Sequence, residues 1–329
     1  MVSRRLILFV VAGLLLLLLF VADLVVGNTD IPVADVWGAL TGGACPDVTA
    51  RIIIDIRLMK AVVAVAAGAA LSVSGLQMQT LFRNPLAGPY VLGISSGASL
   101  GVALFILGAP LLGLTGSLAS MGVAGAAWAG SAAVLLVIAA VGHRIKDIMV
   151  ILILGMMFSS GVGAVVQILQ YLSKEDALKS FVVWTMGSLG EVTGSQLVVL
   201  LPAVAVGLLA AVACVKPLNL LLLGEEYAVT MGLRVRRTRA LLLLSTTLLA
   251  GTVTAFCGPI GFIGLAMPHV TRMLLADADH RFLLPAVMIT GAAVMLVCDI
   301  ISKMLLLPIN AITALLGIPI VVWVVLRNQ

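Results

Sequence analysis

Apolar runs about as long as a bilayer is thick recur along the whole chain, and they limit what it can fold into. The first runs from Leu6 to Ala22 behind Arg4 and Arg5. A spanning helix needs about 20 apolar residues to cross a hydrocarbon core about 30 Å thick. Between charged or Gly/Pro punctuation, such runs fall near 6–26, 58–81, 90–108, 115–141, 147–171, 195–214 and 238–257. A shorter segment follows at 261–275, then spans at 283–305 and 310–326. Only 10% of the 329 residues are charged and 62% are hydrophobic, against about 25% charged in a soluble domain. A water-soluble fold of this length cannot hide so much apolar surface. That excludes a cytosolic enzyme, a disordered chain and a nucleic-acid-binding domain. The expected fold is an all-α polytopic membrane protein with about ten transmembrane helices. Residues 1–329 form one domain, with no soluble linker.

The net charge of +5 reflects orientation rather than nucleic acid, because the basic residues sit at the ends of apolar runs. With the N-terminus inside, ten crossings return the C-terminus to the cytoplasm. Thirteen basic residues then lie inside: Arg4, Arg5, Arg83, Arg144, Lys146, Lys216, Arg234, Arg236, Arg237, Arg239, Arg272, Arg281 and Arg327. Six lie outside: Arg51, Arg57, Lys60, Lys174, Lys179 and Lys303. Arg57, Lys60 and Lys303 stand at outer span ends, where a basic residue needs a reason. The first run continues past Asp23 to Val26 without a small-x-small cleavage site, so it reads as a retained span rather than a signal peptide. Cys45, Cys214, Cys257 and Cys298 are scattered, without metal-ligand or disulfide spacing.

Three stretches carry more than hydrophobicity. GLQMQTLFRNPLAGPYVLGISSGASLG, residues 75–101, combines turn signals at Asn84-Pro85 and Gly88-Pro89 with Gly93, Gly97 and Gly101. Small residues every four positions let helix backbones approach closely in lipid. In the inner loop 216–237, Gly224 interrupts LNLLLL, Glu225 and Glu226 stand where a helix start favours negative charge, and Gly232 breaks the chain before RVRR. Two short helices at a glycine hinge, presenting an apolar and acidic surface to a soluble partner, fit this pattern as well as an ordinary basic loop does. In AFCGPIGFIGLAMPHVTRMLL, residues 255–275, Gly258-Pro259, Gly261, Gly264 and Pro268 interrupt a helix near membrane depth. Lipid tolerates such breaks only where they are buried in protein or line a cavity. His269 at the inner surface reads as a packing or hydrogen-bonding residue.

Some absences matter. No G-x-x-x-x-G-K-[ST] occurs, and His143, His269 and His280 make no metal-ligand spacing. Apart from Asp299 near a span end, the span interiors hold only Gln77, Gln79 and Gln167 as strongly polar residues. Ion-coupled transporters normally use buried carboxylates, so the driving energy is expected from another chain. Residues 27–56, with Pro32 and Trp37, and 172–193, with Trp184, are outer loops long enough to hold short helices.

Together the 75–101 stretch, LLLLGEEYAVTMGLRV and GPIGFIGLAMPHVTRMLLADADHRFLLP resemble the FecCD family from about residue 55 onward. These are membrane subunits of ATP-driven importers for iron–siderophore complexes, haem and cobalamin. The resemblance implies ten helices per subunit, with spans 2–5 and 7–10 forming an inverted repeat. It also implies a homodimer with the pathway at its interface, two cytoplasmic ATPase subunits and one periplasmic binding protein. Residues 216–233 correspond to the family's coupling helices, with Gly224, Glu225, Glu226, Ala228 and Gly232 as contact and hinge positions. Arg57, Lys60 and Lys303 match cations of the cobalamin importer that meet acidic residues of the binding protein. Two of the three are lysine where that relative has arginine, which keeps charge and loses the bidentate fork. On the fifth span, Met156, Ser159, Ser160 and Gln167, with Met157 beside them, are the candidate pathway residues. The resemblance implies no catalytic residue, metal or cofactor on this chain. ATP and magnesium belong to the partner ATPase, and besides proteins the chain meets only lipid. The expected cargo is an iron complex, siderophore or haem, carried across the inner membrane. Cobalamin is the alternative within the family, and an ion-coupled secondary transporter the alternative outside it.

Overall fold

The computed structural model describes residues 2–27, 29–43, 45–108, 122–142, 145 and 148–327. The expected start of the fourth span at 115, together with His143, Arg144 and Lys146, lies outside them, as do the side chains of Arg4 and Arg327. The described residues are helical, without strands, and apart from the fourth start the helices of the ten expected segments begin and end within five residues of the expected positions. They are α1 (Val2–Val25), α4 (Met59–Leu81), α5 (Ile94–Ala103), α6 (Gly122–Gly142), α7 (Ile148–Leu172), α9 (Gly194–Ala213), α12 (Val235–Cys257), α13 (Ile263–Leu275), α14 (His280–Leu305) and α15 (Ile309–Arg327). Five segments, Arg5–Val25, Ile148–Leu172, Gly194–Ala213, Val235–Cys257 and His280–Leu305, are each long and apolar enough to cross a bilayer alone. The two long loops hold α2 (Val33–Thr41), α3 (Asp47–Arg51) and α8 (Glu175–Thr185). A π-helical stretch, Ile52–Leu58, joins α3 to α4, so the second span begins as a continuous helix at Asp47 rather than near 58.

α4 is the axis of the fold, because almost every residue from Ala61 to Leu81 is buried. Lipid tails are as apolar as leucine, so helices in a membrane associate by close contact and not by expelling water. The glycines of α4 make that contact. A Cβ on Gly68 would overlap the Gly291 carbonyl of α14, and one on Gly75 would overlap Gly264 of α13. The same device joins α5 to α6 through Gly97, Gly101 and Gly130, which gives the four-residue glycine spacing its purpose.

After Cys257 the chain unwinds at Gly258, whose φ is +74°. Helix α13 then starts at Ile263, facing Leu71 and Gly75 at mid-height on α4. Its 13 residues span about 20 Å at about 1.5 Å per residue, too short for a full crossing. The unwound backbone is satisfied by protein, as lipid requires. Ser188 N–H donates to Cys257 O at 2.8 Å, Asn310 Oδ1 accepts from Gly261 N–H at 3.0 Å, and the Tyr90 hydroxyl donates to Ile260 O. Gly88-Pro89-Tyr90 and Gly258-Pro259-Ile260 are similar glycine–proline turns, and the Tyr90–Ile260 bond ties one to the other.

These contacts set an expectation for stability. Alanine at Gly75 drives a methyl into the α13 backbone, an overpacking cost of about 1–3 kcal/mol that exceeds the roughly 0.5–1 kcal/mol helix gain over glycine. Gly163 of α7 has no atom within 4 Å of its Cβ position. Thermal unfolding of the purified protein should therefore show a lower midpoint for Gly75→Ala and none of that loss for Gly163→Ala.

Candidate functional site

The inner loop folds as two short helices, α10 (Val215–Leu222) and α11 (Glu225–Thr230). Gly224 between them has φ +107° and Gly232 after them φ +85°, a region that L side chains rarely adopt. Ala228 is fully buried and packs in one cluster with Leu218, Leu221 and Leu242. The opposite side stays open, with Leu223, Tyr227, Val229 and Met231 each at least 55% exposed. The two glutamates differ. Both carboxylate oxygens of Glu225 accept from Arg239 Nη2 of α12, at 2.6 and 2.7 Å, whereas Glu226 is exposed. Glu225 thus fastens the loop to the membrane domain, and Glu226 faces outward beside Tyr227. Arg239 lies within RVRRTR, where the sequence shows only a basic flank, so its role as the strap was hidden.

At the other end, Arg57, Lys60 and Lys303 gather around the last turn of α1. The Arg57 guanidinium is 5% exposed and donates to the carbonyls of Leu24 at 2.9 Å, Val25 at 2.7 Å and Thr29 at 2.5 Å. A helix end leaves four carbonyls unpaired and carries a partial negative charge, and a cation answers both. Lys303 Nζ adds a bond to Asp23 O at 3.0 Å. It also lies 2.8 Å from both the Asp23 and Asp299 carboxylates, while Lys60 reaches Asp299 at 3.0 Å. Asp23 and Asp299 are fully buried, which corrects the expectation of spans nearly free of carboxylates. Asp23 reads in the sequence as an interruption of the first apolar run, because its partner is far away in the chain. The three cations also differ in access. Lys60 is 20% exposed and Lys303 7%, so Lys60 is the most open of the trio.

On α7 the exposed stripe contains Met156, Ser160 and Gln167, at positions i, i+4 and i+11 of one face. Ser159 points elsewhere, bonding back to Gly155 O at 2.9 Å against the turn at Gly93. Ser160 bonds to Met156 O at 3.1 Å, and the adjacent Met157 is 66% exposed. Helix α13 meets α4 through polar pairs. Arg272 Nη1 donates to Gln79 Oε1 at 2.9 Å, Gln79 Nε2 donates to Leu265 O at 3.0 Å, and His269 Nε2 lies 2.7 Å from Pro85 O. His269 is thus a hydrogen-bonded packing residue.

The geometry agrees with comparisons to known proteins. The model of the FecCD transport family matches residues 15–327. The hemin transport system permease protein HmuU of Yersinia pestis is 38% identical, over 96% of this chain and 94% of its own. The ferric enterobactin permease FepD of Escherichia coli is 34% identical over 97% and 95%. The vitamin B12 import permease BtuC of Klebsiella pneumoniae is 36% identical over 96% and 92%. A solved metal-chelate type ABC transporter in an inward-facing conformation superposes with a TM-score of 0.84 at 29% identity, over 96% of this chain and 97% of that one. A match over nearly the whole chain, in sequence and in fold, makes this protein a multi-pass membrane permease of the FecCD transport family.

Proposed function

We propose that the chain is the membrane-spanning subunit of an importer driven by ATP hydrolysis on separate subunits, carrying an iron complex (haem or a siderophore). The observation that carries this reading is the α10–α11 pair. Two short helices locked by a glycine hinge and an Arg239–Glu225 strap present an open apolar face of a kind that a soluble partner covers. A permease with such a surface draws its energy from that partner and catalyses no bond change itself. Similarity to the hemin and enterobactin permeases supports an iron cargo, and similarity to the vitamin B12 permeases keeps cobalamin as the alternative.

In this reading α10 and α11 are cytoplasmic, as are both termini, in the inner membrane. They dock in a cleft of each ATPase, where ATP and magnesium bind. Two copies of the chain form a homodimer whose pathway runs between them. Met156, Ser160 and Gln167 then face a water-filled route, which removes the penalty of an exposed glutamine in lipid, and Ser159 sits behind them. The periplasmic binding protein docks at the opposite end, where Lys60 offers the accessible charge and Arg57 and Lys303 hold α1 in place. Docking and nucleotide-driven closure bias the gates through their different affinities for the two states.

Four outcomes test this. With the subunit, its ATPase and its binding protein in nanodiscs, hydrolysis should respond to binding protein loaded with haemin or a ferric siderophore more than with cyanocobalamin. A permease that forms no complex with any ATPase ends the reading. Tyr227→Ala should lose ATPase during purification, at a cost of about 2 kcal/mol or more for a central aromatic anchor, whereas Val198→Ala on an exposed span face should not. Lys60→Ala should weaken binding-protein docking with little change in thermal midpoint. Lys303→Ala leaves Asp23 without a partner and should destabilise the permease by about 3–5 kcal/mol, read as a fall in thermal midpoint.

A further inference from the structure

The ADHR stretch ahead of α14 is not used by the docking, pathway or coupling residues named so far. Its geometry gives it a place. Asp279 caps α14, its Oδ1 accepting from Arg281 N–H at 2.9 Å. That amide bond, with the side chain of Asn219, holds the Asp279 carboxyl below the usual carboxylate range. Asn219 belongs to α10 and crosses over to α14. Its Nδ2 donates to Asp279 Oδ1 at 2.6 Å, and its Oδ1 accepts from the His280 backbone N–H at 2.9 Å and from the ring Nδ1 at 2.8 Å. With Asn219 Oδ1 accepting, the proton lies on Nδ1, and the neutral ring accepts at Nε2 from Thr80 Oγ1 of α4 at 2.9 Å. Thr80, His280, Asn219 and Asp279 therefore form one directed chain of donors and acceptors, in which each bond polarises the next. His280 is fully buried and Thr80 is 4% exposed, so breaking the chain strands buried polar groups.

The chain joins three elements at one point: α10, the C-terminal end of α4 and the first residue of α14. Further along α14, about 30 Å away at about 1.5 Å per residue, Asp299 and Lys303 hold α1 and the Lys60 end of α4. Between the two ends, Gly68 and Gly291 bring the α4 and α14 backbones into contact. The α4–α14 pair is thus bound at the top, the middle and the bottom, and α10 is attached to its lower end. We propose that Asn219 and His280, with Thr80, are positioning residues of coupling. They fix α10 to the α4–α14 pair, so that a rearrangement at the docking end and a displacement of α10 are one movement. This rests on the assignment of α10–α11 to the ATPase and of the Lys60 end to the binding protein.

The test uses the full complex in nanodiscs and reads the ratio of binding-protein-stimulated to basal ATP hydrolysis, per assembled complex, with haemin, ferric enterobactin and cyanocobalamin as probes. Asn219→Leu and His280→Phe keep volume and remove the bonds, and Thr80→Val removes one hydroxyl. Each should lower the stimulation ratio about tenfold, inside the roughly 5–150-fold range of measured couplings. His280→Gln, whose amide can donate to Asn219 and accept from Thr80, should restore much of it. Hydrogen exchange on the permease alone should show faster exchange in α10 for these variants, with α4 and α14 unchanged. A stimulation ratio equal to wild type in a variant that assembles, or unchanged α10 exchange, overturns the joint and leaves the importer reading standing. A wild-type complex that never responds to binding protein overturns the importer reading, and the joint falls with it.

Discussion

The central helices of this protein, α4 with α13 and α14, and α5 with α6, are placed by one constraint: in lipid, backbones must come together without help from expelled water. Helix α4 meets it because ten of its fifteen residues from Ala61 to Gly75 are alanine, glycine or serine. Large side chains on that surface would keep α13 and α14 at leucine distance, and the unwound segment at 258–262 would lose the protein that satisfies it. The half-length of α13 is tolerable only because α4, Asn310 and the 184–188 segment surround its beginning. Small residues thus come first in the causal order, and the broken helix depends on them.

α1 is held differently. Its apolar side chains are mostly exposed, and a cleft of about 460 Å³ separates it from α4 and α9, lined by Gly13, Leu16, Phe20 and Val65. Leu16, Leu19, Phe20 and Leu24 pack it against the core, and charge secures its two ends. Arg5 pairs with Asp277 at 2.7 Å and stacks on Phe282 at 4.5 Å from the ring centroid; Lys303 pairs with Asp23 at the far end. Isolated surface ion pairs contribute little, but the Asp23–Lys303–Asp299–Lys60 cluster is largely shielded, and removing Lys303 strands Asp23. The same cluster bears on the rival reading as an ion-coupled transporter. Its two carboxylates meet two ammonium groups, which leaves no unpaired charge of the kind a proton or sodium relay uses.

The spans were legible because hydropathy alone sets them, and the glycine hinge at 224 and the cap-like glutamates also marked the α10–α11 pair. Partnerships across the chain were not legible. Asp23 and Lys303 lie 280 residues apart, and Thr80 and His280 200 apart, and nothing in local pattern pairs them. Glu225 and Glu226 are adjacent and chemically identical, yet helical rotation turns one to Arg239 and the other to solvent. Arg57 and Lys303 stand out as basic residues at span ends that the expected orientation puts outside, and the structure supplies a local cause in the unpaired carbonyls of α1. The continuous helix from Asp47 into α4 was missed because Asp55, Arg57 and Lys60 look like the edge of a span rather than part of a helix.

The bond between the two glycine–proline turns joins stretches that lie far apart in the chain. Tyr90, after Gly88-Pro89, donates its hydroxyl to the carbonyl of Ile260, after Gly258-Pro259. One phenol thus ties the lead into α5 to the unwound lead into α13, and a single lost bond of about 1 kcal/mol would loosen both turns at once.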